Sequence, residues 1–159
     1  MSKGVLAFLA LLVAAAPPAP APLVQFRLTP EEARGTKFDG SATGSSLVAG
    51  VRTKVLAGDP AGTERYSILL FVPAHTTIAA HSHRDDRVAS VVSGEWRIGY
   101  GRTFDEASLK RLPPGSVYTE PAGAPHFART GDDPVIVQLT GVGPTDTRYV
   151  DPANDPAKR

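Results

Sequence analysis

Between Leu47 and Gly141 the chain alternates short runs rich in Val, Ile and Leu with turns built from Gly, Pro and Asp, which is the pattern of brief strands joined tightly. Strands are predicted at Leu47–Leu56, Tyr66–Val72, Arg87–Val92, Glu95–Tyr100, Ser116–Glu120 and Val135–Gly141. The turn-rich segment 57–62 separates the first two. Two places break the pattern. Thr29-Pro30-Glu31-Glu32-Ala33 has an N-cap residue, a proline at the first helical position and two acids suited to the helix dipole, and predicts a short N-terminal helix. Residues 104–112 space their apolar positions as a helical turn would, inserted between strands. The expected fold class is therefore all-β, with one domain at 159 residues and 42% hydrophobic content.

The first residues follow another rule. A single basic residue, Lys3, precedes the apolar run Val5 to Ala16 and then a Pro/Ala-rich stretch to Pro22. Twelve apolar residues fall short of the roughly 20 that span a bilayer as a helix, and they fit the h-region of a signal peptide. The expectation is a removable leader over residues 1–22, an all-β domain over 23–145, an irregular tail over 146–159, and a periplasmic or secreted mature protein with no membrane attachment after cleavage. Without Lys3 the 17 basic residues become 16, equal to the 16 acidic ones, so nothing favours nucleic acid as a partner. The chain has no cysteine, which removes disulfides and thiolate chemistry and leaves histidine and carboxylate chemistry. No nucleophile elbow, phosphate loop or dinucleotide fingerprint occurs.

Three of the four histidines fall into two short segments: His81-Ser82-His83, and His126 at the end of Pro121-Ala122-Gly123-Ala124-Pro125-His126. In an extended strand residues two apart share a face, so His81 and His83 form a ready imidazole pair. The Gly/Pro-rich approach to His126 predicts a strand returning beside them. Three convergent imidazoles are a familiar facial set for a divalent metal with open positions. His75 reads as a loop residue. Trp96, Ile98 and Tyr100 share a strand face and read as core filling, whereas Tyr118 and Gln138 are candidates to face a pocket and orient a substrate.

His81-x-His83 with Gly94 eleven residues on resembles the first motif of the cupin superfamily, and Gly115-x5-Pro121-x-Gly123-x2-His126 matches the second. Residues 81–88, 104–107 and 143–152 are similar to exported bacterial cupin-domain proteins. The resemblance implies a single antiparallel β-barrel or jelly roll, a mononuclear metal (Fe, Mn, Zn or Ni) at His81, His83 and His126, a small-molecule ligand, and pairing of copies through sheet edges as a homodimer. It leaves catalytic residues and reaction open, with dioxygenase-like and isomerase-like chemistry both compatible.

One departure stands out. Where the first motif places a glutamate ligand, this chain has Arg87. A guanidinium has no lone pair for a metal, and at about 5 Å from a dication it would repel it by about 6 to 7 kcal/mol at an effective dielectric near 20. Three arrangements are open. Arg87 turns to the rim and pairs with Asp85 or Asp86, leaving a three-histidine site like that of the thiol and diketone dioxygenase cupins. Alternatively, a bulge lets Asp86 serve as an extra metal ligand. In the third, the pocket is metal-free and non-catalytic, and Arg87 binds a small anion such as a carboxylate.

Overall fold

The computed structural model describes residues 23–41 and 43–159, so the expected leader over residues 1–22 lies outside the described residues. The short helix forms where the capping signals put it: α1 spans Pro30–Gly35, the Thr29 hydroxyl accepts from the Glu32 N–H at 3.2 Å, and Glu32 accepts from the Thr29 N–H at 2.7 Å.

Ten strands follow: β1 (Arg52–Ala57), β2 (Arg65–Val72), β3 (Thr77–Ser82), β4 (Arg87–Ser93), β5 (Trp96–Tyr100), β6 (Lys110–Leu112), β7 (Val117–Glu120), β8 (His126–Thr130), β9 (Val135–Val142) and β10 (Arg148–Tyr149). They build two antiparallel five-stranded sheets, in the orders β1-β2-β9-β4-β7 and β10-β3-β8-β5-β6. The inner faces enclose one apolar core. Ile68, Val72, Val137 and Leu139 come from the first sheet, and Ile78, Trp96 and Ile98 from the second. Helix α1 lies outside, where Ala33 joins Leu69 and Ile136 in a small cluster on the outer face of the first sheet.

Two expectations change. The helical turn over 104–112 shrinks to a 3-10 turn at Glu106–Ser108, after which Lys110–Leu112 pairs with β5 as a strand. The tail is not irregular throughout. Arg148 and Tyr149 pair with Ser82 and His81 as the edge strand of the second sheet, with the Tyr149 ring 5.5 Å from that of His81 between centroids.

Strand ends position the site. Register shifts between Ile78 and His81 where β3 meets β8, and this bulge resets the alternation so that both residues, three apart, are buried. His81 is then paired directly with His126 across β3 and β8, and Arg87 directly with Glu120 across β4 and β7. Arg87, Glu120 and His126 are terminal residues of their strands and His81 is one residue from the end of β3.

Candidate metal centre

The three histidines named from spacing meet. Their ring centroids lie 4.4 Å (His81 to His126), 5.0 Å (His81 to His83) and 5.1 Å (His83 to His126) apart, and one nitrogen from each lies within 4.8 Å of the others. All three are buried. Local chain geometry sets each ring. Gly123 adopts φ +70 in the turn before β8, and its N–H bonds to the His83 carbonyl at 2.7 Å, tying the second histidine segment to the first.

Each imidazole faces a backbone carbonyl through Nδ1: His81 that of Ala79 at 2.8 Å, His83 that of Asp146, and His126 that of Ala124 at 3.4 Å. A carbonyl only accepts, so Nδ1 carries the proton and Nε2 keeps a bare lone pair. Burial lowers all three imidazoles, His81 to about 3 with the nearby His126 adding to it, and His83 to about 2 with Arg87 adding to it. They are neutral at pH 7, the form that binds metal.

Sequence reasoning missed the fourth member. Glu120 is 4% exposed, and its carboxylate lies 3.5 Å from His126 Nε2 and 3.8 Å from His83 Nε2. Its partner is Arg87, whose Nε–H donates to Glu120 Oε2 at 2.7 Å while its NH2 group contacts the same oxygen and NH1 donates to the Gly44 carbonyl at 3.0 Å. Burial acts most strongly, to raise the Glu120 carboxyl, and the Arg87 charge is the largest of several neighbouring effects that together overcome it and bring the acid to about 2. A signal was present: Glu120 is two residues beyond Tyr118 on one strand, so a reading that turns Tyr118 inward turns Glu120 inward too.

Arg87 therefore stays inside, 3% exposed, rather than turning to the rim. Asp85 accepts instead from the Tyr66 hydroxyl at 2.7 Å. Asp86 is exposed, and its carboxylate accepts from the Ala122 N–H at 2.8 Å, so no bulge carries it to the histidines as an extra metal ligand. Gln138 is also misplaced. In β9 the core-facing residues are Val135, Val137 and Leu139, which puts Gln138 on the outer face, bonded to Ser67. Tyr118 lines the pocket, its hydroxyl pushed well above the usual phenol range by burial and then by the Glu120 charge.

The cavity between these groups is about 20 Å³, room for one water-sized particle. One wall is the segment 44–46. Arg87 holds the Gly44 carbonyl, the Thr147 hydroxyl donates to Ser45 O at 2.9 Å, and the Tyr149 hydroxyl donates to Ser46 O at 2.5 Å. The tail thus fastens the pocket wall and, through Asp146, a histidine ring. Three buried polar atoms at this pocket lack hydrogen-bond partners: His83 Nε2, Trp96 Nε1 and Ser46 Oγ. Trp96 was expected only to fill the barrel; it also lines the pocket.

The three imidazoles can hold a metal. The bare ring nitrogens, within 4.8 Å of one another, and the Glu120 carboxylate beside His83 and His126 are acceptors only, and one cation can satisfy them together where a single water has only two protons to offer. The Arg87 charge is already neutralised by Glu120, so the repulsion expected from the sequence is largely offset.

No family model matches the chain. The H2HPP isomerase of Bacillus subtilis is 31% identical over 72 residues, covering 45% of this chain and 29% of that protein, so the chain matches under a third of that relative's length. Among solved structures, the polyketide cyclase RemF from Streptomyces resistomycificus superposes with a TM-score of 0.61 at 17% identity, over 85% of this chain and 92% of that one. An RmlC-like cupin from Shewanella frigidimarina gives 0.53 at 17% identity, over 77% and 92%.

Proposed function

Taking the chain as a protein of cupin fold, we propose that it is an exported metal-binding cupin. It holds one divalent ion (Fe, Mn, Zn or Ni) at His81, His83 and His126 and uses the open coordination positions to bind or transform a small oxygen-bearing molecule. The observation that carries this reading is the set of three buried imidazoles whose Nδ1 atoms all face carbonyls, with one ring nitrogen of each within 4.8 Å of the others. A bound ion would supply Lewis-acid or redox chemistry there.

The chain's own groups do the rest. Carbonyl anchors fix the ring orientations before any ligand arrives. Leu70, Ile78 and Ala128 make the other side of the pocket apolar. The Trp96 N–H and the Ser46 hydroxyl are donors without partners, suited to the oxygen atoms of a small ligand. Isomerase-like or dioxygenase-like chemistry remains compatible with this donor set, and the fold alone selects neither. The metal-free alternative, with Arg87 as the anion anchor, is disfavoured because that guanidinium is already engaged by Glu120 and by the Gly44 carbonyl. Export rests on the sequence of residues 1–22, and N-terminal sequencing of protein from the periplasm or medium tests it.

The metal reading is tested on untagged protein supplied in turn with Fe, Mn, Zn and Ni. Elemental analysis should give close to one ion per chain for at least one of them. Content far below one for all four, with no competition against a chelator, would remove the reading.

A further inference from the structure

We propose that Glu120 is a direct donor to the metal ion, a carboxylate delivered from β7 rather than from the position on β4 that Arg87 occupies. The inference rests on the metal reading above and adds a ligand to it.

Geometry carries the argument. Donors bound at about 2.0 to 2.2 Å stand roughly 3.0 to 3.5 Å apart around a tetrahedral or octahedral ion. The Glu120 carboxylate is 3.5 Å from His126 Nε2 and 3.8 Å from His83 Nε2, close to such an edge without being a hydrogen bond. With Nδ1 of each ring turned to a carbonyl, neither Nε2 has a proton to offer the carboxylate, and His83 Nε2 has no partner at all. A buried carboxylate held against two bare lone pairs is repulsive unless a cation or a proton donor lies between them, and a cation satisfies all three acceptors where a water has only two protons. Register explains how it arrives: Arg87 and Glu120 are direct cross-strand partners, so their side chains share one face and adjoin. The acid has moved sideways by one strand, and the arginine at position 87 holds it against the histidines.

The competing role is purely structural, with Glu120 present only as the counter-ion of Arg87. Comparing variants that lack the arginine separates the two. Arg87→Met and the double variant Arg87→Met/Glu120→Gln are titrated with Zn²⁺ against a competing chelator, after circular dichroism shows both folded. The double variant carries no buried charge of this pair, and if Arg87→Met fails to fold, wild type takes its place in the comparison with the double variant, read by the same thresholds. If Glu120 ligates, Arg87→Met binds Zn²⁺ more than about 10-fold tighter than the double variant, the scale of losing a metal-site group. Affinities within about 3-fold overturn the assignment, because with no arginine to pair Glu120 would then have no role at the metal. The wild-type protein is titrated alongside. Binding by wild type with no effect of Glu120 removes only this inference, whereas no binding by wild type removes the metal reading itself.

Discussion

Replacing Arg87 by Met should destabilise the metal-free protein severely, and the structure sets the scale. Both side chains of the Arg87–Glu120 pair are 5% exposed or less, and the hydrogen bonds to the carboxylate come from that one guanidinium. Removing one partner of such a pair leaves an uncompensated buried charge, at about 3 to 5 kcal/mol. In a domain of this size that lowers Tm by on the order of 10 °C. Changing Glu120 to Leu in the same chain removes the orphaned charge as well, and well-packed apolar replacement of a whole buried pair is close to neutral, about 1 kcal/mol or less. Urea unfolding at pH 7.5 in the presence of chelator measures both variants. A divalent ion added afterwards should recover more stability in Arg87→Met than in wild type, since it offers Glu120 the charge it lost. The reasoning fails if Arg87→Met lies within about 1 kcal/mol of wild type, or if the double variant is as unstable as the single one.

The metal-free protein should also lose stability on mild acidification. The three histidines have folded values below the ordinary 6.5, so the unfolded chain takes up protons first. Stability present above pH 6.5 is lost as the pH falls toward 3, by up to roughly 1.4 kcal/mol per pH unit for each ring. Urea midpoints at pH 7.5 and 5.5 check this, and a flat response would show the rings are not buried neutral. Gly44→Ala should displace the pocket wall, because Gly44 adopts φ +82 and an added Cβ would meet Thr145 Cγ2 at 2.4 Å. A loss of more than about 1 kcal/mol, together with weaker metal binding, is expected by denaturation and chelator competition. Unchanged affinity would detach segment 44–46 from the site.

Sequence legibility followed the range of the interaction. Residues two apart on a strand share a face whatever the rest of the fold does, so His81 and His83 could be paired on paper. The glycine and proline positions before His126 marked the returning turn for the same local reason. Gln138 shows where this stops: Val135-Ile136-Val137-Gln138-Leu139 has apolar residues in both phases because α1 covers the outer face at Ile136, and the inward phase was hidden. Asp86 looked close along the chain, but alternation from the buried Arg87 turns it outward.

The amino-acid order alone determined an all-β chain, a capped N-terminal helix and three histidines suited to one metal, since each depends on neighbours within a few residues. Tertiary structure decided the charge balance of the pocket. Glu120 meets Arg87 33 residues away through the register of β4 and β7, and the tail reaches His83 from 63 residues away through Asp146. Strand register and sheet order are set by how the whole core packs. The group that neutralises Arg87 therefore became visible only once the two sheets had closed.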